Sequence, residues 1–477
     1  MSPPETQNEL DSLAQPPGYP PLDRRALIAV DLGAESCRVS LLRWIENVPR
    51  VQLVHRFSNW AEERKGSLRW NLKRIIDGVE EGLRQCIALA TEGIRSIAVD
   101  GWAVDYVRLS PDGEVLADPF CYRDPRCTLA QEAIHNRIPA DRLREFTGIQ
   151  LQAINTVYQL HADKIQGNAA RWLNLPEYLL HRWGAAAVAE RTNATHTGLV
   201  GLNGLWCGEV FKAAELDIED APPIVEAGTD VGEYSGEIEA LQGVRLIAPC
   251  CHDTASAIAG IAASGKDWAY ISSGTWSLVG MVLDTPCNDA LAAKENFTNL
   301  GAAGGRVLFH KGIPGMWLLR QCMLTWNCQD VSLLIEQASH VSPNVANELI
   351  DMDDPALALP GNMPARINAQ REAKGLPPIH GCAEMVRLIF ESLAAEYASV
   401  LRSIAAITGK TFREVYIVGG GSQNELLNSL TAKATGMKVL RGAVESATIG
   451  NFSVQLAAFD QQPPTAEAIA RWAALLQ

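Results

Sequence analysis

The chain has 477 residues, of which 47% are hydrophobic and 20% are charged, and this balance is typical of a globular protein. A single hydrophobic core stops growing at roughly 250 to 300 residues, so the length predicts at least two domains. The formal charge of −14 argues against a nucleic-acid partner or an acidic membrane surface and leaves small molecules as the expected ligands.

The N-terminal segment and the cysteines bear on where the protein works. Residues 1–24 hold six prolines among polar residues, which predicts a disordered leader. No stretch approaches the roughly 18 apolar residues of a membrane span, and no signal-peptide core is present. Eleven cysteines without C-x-x-C spacing favour reduced thiols over disulfides or a zinc site. We expect a cytoplasmic protein with no membrane partner, as a monomer or a homodimer.

The first half of the chain is predicted to alternate strands and helices. Its predicted elements are strands at 27–30, 39–45 and 94–99, a helix from residue 72, a hairpin of 106–109 with 115–116, and mainly helices and loops over 126–220. The helix is indicated by apolar residues that recur every three or four positions, and the strands by short apolar runs. This order predicts an α/β layer.

The second half repeats the plan of the first. Its predicted elements are strands at 244–248, 268–271, 276–283 and 415–418, helices at 255–263, 383–405 and 425–435, and a proline-rich loop over 342–380. Strand, small-residue turn and strand over 268–283 follow the same order as over 27–45. The sequence therefore predicts two domains, residues 25–248 and 249–477.

The turn after the first strand, residues 31–38, combines small residues with Asp31 and Arg38. Backbone N–H groups in such a turn form a concavity that binds anions such as phosphate. In that interpretation Asp31 holds Mg²⁺, directly or through water, and Arg38 balances phosphate charge. The alternative is a hairpin in which Asp31 is only a turn residue.

Two similar turns lie in the second half. Residues 272–275 occupy the place equivalent to residues 31–38, and an ordinary glycine-containing hairpin is the alternative. Gly419, Gly420 and Gly421 follow a strand, and they let a ligand approach the backbone because no Cβ intervenes. The alternative there is a strand-to-helix turn that needs glycines. The run matches neither the dinucleotide fingerprint nor the Walker loop.

Asp253 stands between a predicted strand and a predicted helix. Ligands of open α/β sheets collect at the carboxyl ends of strands, so this carboxylate is placed to accept a proton from a substrate hydroxyl. The alternative is that Asp253 or Thr254 is only the N-cap of the helix. The neighbouring His252 could donate to a polyol, although a lone histidine is more often structural.

Trp102 and Asp105, with the run Tyr122-Arg123-Asp124, have the composition of a polyol site. An aromatic face covers C–H surface, while carboxylates and a guanidinium satisfy hydroxyl groups. The alternative is a core tryptophan with surface ion pairs.

Together these motifs resemble the FGGY family of carbohydrate kinases, most closely its branch that phosphorylates L-rhamnulose. The resemblance covers about residues 26 to 460. It is carried by Asp31-Leu32-Gly33-Ala34 with Arg38, Trp102 to Asp105, Tyr122-Arg123-Asp124, Asn155-Thr156-x-Tyr158-Gln159-Leu160, His252 to Ala257, Ser272 to Leu278, Val418 to Gly421 with Gln423-Asn424, and Val444-Glu445-x-x-Thr448-x-Gly450-Asn451. The runs at 252–257 and 272–278 are the most specific to that branch.

The resemblance implies two actin-like, ribonuclease-H-like ATPase domains around a central cleft. It also implies transfer of the γ-phosphoryl group of ATP, with Mg²⁺, to the 1-hydroxyl of L-rhamnulose. Carried over by motif, Asp253 is the general base, and Trp102, Ala103, Asp105, His252, Asp253 and Thr254 contact the sugar. ATP is contacted by Ala34, Glu35, Ser36, Cys37, Arg38, Thr275, Gly312, Arg320, Gly420 and Gly421, and Asp31 holds Mg²⁺, directly or through water.

Five positions depart from the family pattern. The family usually has glycine at Cys37, so a positive φ at this position would strain the turn. It usually reads Thr-Trp-Gly at residues 101–103, which bears on sugar identity, and often has Asn and Gln at Gly312 and Arg320, which bears on nucleotide affinity. Two alternatives stay open: a kinase for another ketose or polyol, such as L-fuculose or xylulose, and a non-catalytic actin-like nucleotide-binding sensor.

Overall fold

The computed structural model describes residues 23–164, 171–263, 265, 267–343 and 348–477. Apart from its last two residues, the predicted leader lies outside these ranges. The strands are β1 (Ala26–Leu32), β2 (Ser36–Ile45), β3 (Val48–Ser58), β4 (Ala61–Arg64), β5 (Ser67–Trp70), β6 (Ile94–Gly101), β7 (Tyr106–Leu109), β8 (Arg171–Asn174), β9 (Ala189–Glu190), β10 (Ile224–Val225), β11 (Thr229–Glu233), β12 (Arg245–Ala248), β13 (Trp268–Ser273), β14 (Trp276–Leu283), β15 (Thr298–Ala302), β16 (Arg306–Pro314), β17 (Glu414–Val418) and β18 (Lys438–Arg441). The helices are α1 (Leu72–Leu89), α2 (Cys127–His135), α3 (Ala140–Thr147), α4 (Thr156–Lys164), α5 (Leu175–Arg182), α6 (Arg191–Ala194), α7 (Gly208–Ala213), α8 (Asp253–Ala259), α9 (Ala290–Lys294), α10 (Trp317–Trp326), α11 (Val331–Ser339), α12 (Met363–Ala373), α13 (Cys382–Thr408), α14 (Glu425–Thr435), α15 (Ser446–Asp460) and α16 (Ala466–Leu475).

The first large sheet has the strand order β11-β12-β6-β1-β2-β3. β1 is buried along its whole length, and it pairs antiparallel with β2 on one side and parallel with β6 on the other. Beyond these neighbours β3 pairs antiparallel with β2, and β12 pairs parallel with β6. Helix α1 packs on β2 and β3 with the apolar face that its periodicity predicts.

The second large sheet has the order β15-β16-β14-β13-β17-β18 and repeats this arrangement. Its central strand β13 pairs antiparallel with β14 and parallel with β17. β16 then extends the antiparallel side and β18 the parallel side. The repeated plan and the α/β fold class predicted from the sequence are confirmed. The long helix α13 packs against β14 and supplies much of the core of this half.

Along the chain, β12 is the last strand of the first sheet and ends at Ala248. A helix from near the end of the chain, α15, also packs on this sheet. Phe452 and Leu456 of α15 share a core with Leu27, Ala29 and Leu42 of β1 and β2. Next to this contact runs a buried polar chain. Ser96 Oγ donates to Gln455 Oε1 at 2.6 Å, Gln455 Nε2 donates to Asn451 Oδ1 at 2.7 Å, and Asn451 Nδ2 donates to Asp100 Oδ2 at 2.6 Å. Helix α15 therefore packs along β1 and β6 and connects the two halves.

Two local predictions were incomplete. More than half of the described residues of 342–380 lie outside helices, as expected, but the region also contains α12. Pro364 lies in the first turn, where proline has no hydrogen bond to lose, and Asn362 Oδ1 caps the helix by accepting from Ala365 N at 3.1 Å. Strand β7 pairs with β8 along its whole length, and the predicted hairpin with residues 115–116 is reduced to a Val115–Leu109 bridge, next to which Leu116 N donates to Arg108 O at 3.1 Å. β8 is mostly buried, so it gives β7 more apolar contact than the exposed Val115 can.

All eleven cysteines lie in the described ranges and all are free, in line with the sequence prediction. Within the same ranges no helix combines the length and the apolar character needed to cross a membrane.

Candidate active site

Two aspartates end neighbouring parallel strands at the centre of the first sheet. Asp31 of β1 lies directly beside Asp100 of β6, and both side chains are buried. Burial raises the pKa of Asp31 to about 6, although the guanidinium of Arg38 opposes the rise. Burial, followed by the charge of Asp31, also raises the pKa of Asp100 well above its usual value. Sequence reasoning missed Asp100, although it ends its strand just as Asp31 does.

Asp253 is the first residue of α8, at the carboxyl side of β12. The N-cap of this helix is His252, so the alternative in which Asp253 or Thr254 is the cap is wrong. The Asp253 side chain is 36% exposed, and its Oδ1 accepts from Thr254 Oγ1 at 3.2 Å. Its low-dielectric surroundings, and next the charge of Asp31, raise the pKa of this carboxyl to about 7. Such a carboxylate is a competent proton acceptor near neutral pH.

The backbone that carries Asp253 is held by two buried side chains that sequence reasoning did not identify. Glu190 Oε2 accepts from Cys251 N at 2.9 Å, and Thr192 Oγ1 accepts from His252 N at 3.2 Å. Glu190 is completely buried, and burial raises its pKa to about 8. These two contacts fix the approach to α8 and thereby the position of Asp253.

A cavity of about 220 Å³ opens beside Asp253. Four of the other predicted sugar residues line it, namely Trp102, Ala103, His252 and Thr254. Gly312, which the resemblance assigned to ATP, instead lines the same cavity from β16. A Cβ at Gly312 would come within 3.2 Å of Leu278 Cδ2, and its absence keeps this side of the cavity open.

The expectation that Asp105 contacts the sugar is wrong, because its carboxylate is fully buried and occupied. Asp105 Oδ2 accepts from the indole N–H groups of Trp70 at 2.6 Å and Trp102 at 2.9 Å, and Oδ1 accepts from Gln159 Nε2 at 3.2 Å. Burial raises its pKa to about 6 in spite of these donors. Asp105 therefore positions Trp102, which does line the cavity.

Val104, between Trp102 and Asp105, has a φ of 71°, which is rare for a β-branched residue. Its carbonyl accepts from Thr156 Oγ1 at 2.8 Å and from Gln159 Nε2 at 3.1 Å. The run 155–160, noted for its family resemblance, therefore acts by holding this strained segment against the cavity. Strain of this kind concentrates at functional sites.

The first predicted phosphate turn is shorter than expected. Strand β2 already begins at Ser36, so only residues 33–35 lie between the strands. Arg38 Nη1 contacts Asp31 Oδ2 at 3.3 Å, and its Nε lies 3.1 Å from Glu445 Oε2, just before α15. The Arg38 guanidinium thus joins the first sheet to the second half while it balances two carboxylates.

The prediction of strain at Cys37 is wrong. Cys37 lies within β2, is not among the residues with positive φ, and has a fully buried side chain. Burial raises the pKa of its thiol to about 12. Only its backbone can contribute to a phosphate site.

We therefore expect Cys37→Gly to leave ATP kinetics unchanged and to lower the free energy of unfolding by about 1 to 2 kcal/mol, because it removes a buried side chain and places glycine inside a strand. Chemical denaturation checks this value. In native labelling followed by mass spectrometry, Cys37 should resist iodoacetamide with or without MgATP, whereas the partly exposed Cys328 should react. Equal labelling of the two cysteines would contradict the buried placement.

The second predicted turn consists of Gly274 and Thr275 between β13 and β14. Its carbonyl groups accept from the backbone at the start of α10, with Met316 N at 3.0 Å from Gly274 O and Trp317 N at 3.1 Å from Thr275 O. The turn and α10 therefore form one unit. Arg320 of that helix forms an ion pair with Glu35 of the first turn, so the structure brings these two predicted ATP residues together across the halves.

The third predicted turn, residues 419–421, packs against the end of β13. Gly419 has a φ of 82°, and a Cβ at Gly421 would lie 2.0 Å from Ser273 Oγ, so glycine is required at both positions for the turn itself. At Gly420 a Cβ would meet nothing within 4 Å, and this residue is exposed. The surface open to a ligand is therefore at Gly420.

Comparison with protein families accounts for both halves. The family model of the N-terminal domain of FGGY carbohydrate kinases matches residues 26–260, and that of the C-terminal domain matches residues 269–459. The chain belongs to the FGGY family of carbohydrate kinases. It is thus a phosphotransferase that acts on a small-molecule sugar, and kinases of this family use ATP.

The curated relatives of this FGGY kinase include two rhamnulokinases. The enzyme from Bacteroides thetaiotaomicron is 35% identical over 441 residues, which cover 91% of this chain and 90% of the relative. The enzyme from Enterococcus faecalis is 34% identical over 449 residues, with 92% and 90% covered.

Solved structures of more distant proteins share the fold. A xylulose kinase from Lactobacillus acidophilus superposes with a TM-score of 0.77 at 17% identity, covering 95% of this chain and 92% of that protein. A glycerol kinase from Plasmodium falciparum, solved with ADP, gives a TM-score of 0.76 at 13% identity, with 94% and 92% covered. At these identities the likeness concerns the two-domain fold alone.

Proposed function

We propose that this FGGY kinase transfers the γ-phosphoryl group of ATP to the 1-hydroxyl of L-rhamnulose, giving L-rhamnulose 1-phosphate and ADP. The observation that carries the choice of sugar is the identity of 35% with a rhamnulokinase over 91% of the chain. The aspartate at the start of α8, beside a cavity of sugar size, supports the reaction type.

In the proposed mechanism Asp253 is the general base. Its carboxylate takes the proton of the sugar 1-hydroxyl while that oxygen bonds to the γ-phosphorus and ADP leaves with the electrons of the broken P–O bond. Burial keeps the Asp253 carboxyl basic enough to accept this proton. Glu190 and Thr192 hold the adjoining backbone, so the base is positioned before the substrate arrives.

The cavity suits a deoxy sugar. L-Rhamnulose is a 6-deoxyketose, so it presents hydroxyl groups together with one methyl group. Trp102 and Leu278 offer apolar surface in the cavity, while Thr254 and Asn155 offer polar groups. We assign sugar contacts to Trp102 and Ala103, and to the run His252-Asp253-Thr254, with Gly312 leaving space.

For ATP we assign the phosphates to the two short turns and to Arg38. Residues 34–38 supply backbone N–H groups and the Arg38 guanidinium, and Thr275 supplies the turn of the second sheet. The third turn contacts the nucleoside part of ATP. Gly420 offers the open backbone surface, and Gly421 packs against Ser273 and holds the turn in place. Arg320 reaches the same region and exchanges its partner Glu35 for the nucleotide.

The residues around Asp31 fit Mg²⁺. Asp100 Oδ1 is buried and has no hydrogen-bond partner among the described residues, and Asp31 lies beside it. No set of three or more His, Cys, Asp or Glu side chains in those residues could enclose a metal, which suits an ion that binds through one or two carboxylates plus phosphate and water. When bound, Mg²⁺ supplies charge neutralisation for the phosphates. Asp31 holds it, directly or through water, and Asp100, whose Oδ1 has no other partner among the described residues, lies behind it.

The raised pKa of Asp253 predicts the pH dependence. A base must be deprotonated to act, so kcat/KM for the sugar should be full above the pKa and fall about tenfold per pH unit below it. Burial and the charge of Asp31 raise the pKa of Asp253 to about 7. Bound Mg²⁺ would offset the charge of Asp31, so the fall in kcat/KM should begin at or somewhat below neutral pH. Initial rates between pH 5 and 9 check this, and a flat profile would contradict the role of Asp253.

A coupled assay of ADP release over a panel of sugars tests the proposed substrate. L-Rhamnulose should give the highest kcat/KM, followed by ketoses that differ in one hydroxyl, such as L-fuculose, with xylulose lower because it lacks the methyl group. A higher kcat/KM for L-fuculose or xylulose would overturn the choice of sugar and leave the kinase assignment intact.

A further inference from the structure

Three histidines from separate elements meet at one wall of the cavity beside Asp253. His196 belongs to the short 3-10 helix Thr195–Thr197, His252 is the residue before the first turn of α8, and His310 lies on β16. The rings of His196 and His252 meet edge to face with their centroids 4.3 Å apart. Of the three, only His252 is among the sugar contacts assigned under the proposed function.

Two ring nitrogens on this wall lack hydrogen-bond partners. His252 Nδ1 and His196 Nε2 are buried without a partner anywhere in the described parts of the chain. The His252 side chain is only 6% exposed. Leaving such groups unpaired is costly, and most buried polar atoms in folded proteins are therefore paired. A ligand that brings hydroxyl groups to this wall removes the cost.

The third ring, His310, is oriented by a tyrosine that does not line the cavity. Tyr270 is fully buried, and its hydroxyl lies 2.9 Å from His310 Nδ1. A buried tyrosine hydroxyl needs an acceptor, so Nδ1 accepts and the ring proton is placed on Nε2. His310 stands two residues before Gly312, hence on the same face of β16 and toward the cavity. It therefore presents an N–H donor to a ligand there.

The wall is uncharged. Burial lowers the pKa of both His252 and His310 to about 3, and the pKa of His196 is lowered as well. Neutral imidazoles donate and accept hydrogen bonds but do not attract phosphate. Their match is a neutral polyhydroxy ligand, the carbohydrate end of the reaction.

We propose that His310 and His196 are specificity-determining residues that hydrogen-bond sugar hydroxyls beside the contact made by His252. This inference takes the identity of the sugar from the proposed function, whereas the location of the contacts follows from the geometry of the cavity. A site built to pair a hydroxyl strongly rejects the analogue that lacks it, because its own polar groups are then left unpaired. The three histidines thus select the ketose by hydrogen-bonding its hydroxyl groups.

The test is sugar affinity in matched variants of the full chain. His310→Leu and His196→Leu should each weaken L-rhamnulose binding about tenfold by calorimetry without ATP and raise its KM similarly, with little change in KM for ATP. His310→Gln keeps a donor and should recover part of the loss. Tyr270→Phe, which leaves the cavity lining intact, should also weaken binding because His310 loses its orientation. His340→Leu, at an exposed residue after α11, is the control and should bind normally.

Monodeoxy analogues of the sugar show whether the contact is direct. At least one analogue should bind wild type about tenfold worse than L-rhamnulose yet bind His310→Leu as L-rhamnulose does, because the pair is already broken. Both leucine variants within about twofold of wild type for every sugar would overturn the proposal. If wild type prefers another ketose, the proposed substrate fails, and the same comparison on that ketose decides the role of the histidines.

Discussion

Asp253→Asn is expected to keep the fold and ATP binding while turnover falls by a factor on the order of 10² to 10⁴. Asparagine has the size of aspartate and still accepts from Thr254 Oγ1, but it cannot take the proton of the sugar hydroxyl. The measurements are kcat by ADP release and the dissociation constant for ATP. The KM for sugar should change less than kcat, because the lost interaction belongs to the transition state.

A matched control separates chemistry from helix stability. Asp330 caps α11 through its Oδ1, which accepts from Leu333 N at 2.9 Å, and it lies outside the cavity. Asp330→Asn should leave kcat unchanged, since asparagine also caps helices well. Turnover of Asp253→Asn within about threefold of wild type would remove Asp253 from the reaction.

Asp31→Asn is expected to raise the Mg²⁺ concentration needed for half-maximal activity, and to lower kcat/KM for ATP by a factor on the order of 100 or more. Two causes act together. The variant loses a carboxylate oxygen placed for the ion, and it leaves Arg38 paired with Glu445 alone. Rates over a Mg²⁺ titration at fixed ATP give the effect.

The control for Asp31 is another aspartate of the same sheet that pairs with arginine. Asp230 of β11 contacts Arg245 of β12 with Oδ2 2.6 Å from Nε, and neither residue lines the cavity beside Asp253. Asp230→Asn breaks an equivalent ion pair and should not alter the Mg²⁺ dependence. An unchanged Mg²⁺ dependence in Asp31→Asn would contradict the placement of the ion.

The duplicated fold was predictable because its signals are local. Apolar runs ended by small residues mark β1, β2, β13 and β14, and the spacing of apolar residues marks α1 and α13. The region 342–380 misled because prolines were counted as helix breakers, whereas Pro364 stands where a helix accepts proline.

The candidate site was predictable only where its residues end local elements. Asp31 and Asp253 satisfy this condition. Asp100 satisfies it too, because it lies at the carboxyl end of β6 as Asp31 does of β1, and it could have been predicted on the same ground. Asp105 was misjudged because only the fold shows that two indoles enclose its carboxylate.

The remaining site features depend on contacts between distant parts of the chain. Arg38 meets Glu445, Glu190 meets Cys251, and Tyr270 orients His310. A single histidine in the sequence carries no sign of the two other histidines that line the same cavity. Such groups become visible only when the fold brings their elements together.

The most direct test of the central claim is NMR of the product made from L-rhamnulose labelled with ¹³C at carbon 1, with MgATP and the wild-type enzyme. We predict one phosphomonoester with ³¹P coupling to the labelled carbon, formed in a one-to-one ratio with ADP and formed on the order of a hundredfold or more slowly by Asp253→Asn. ADP released without a sugar phosphate, or phosphate on any other carbon, would contradict the proposed reaction.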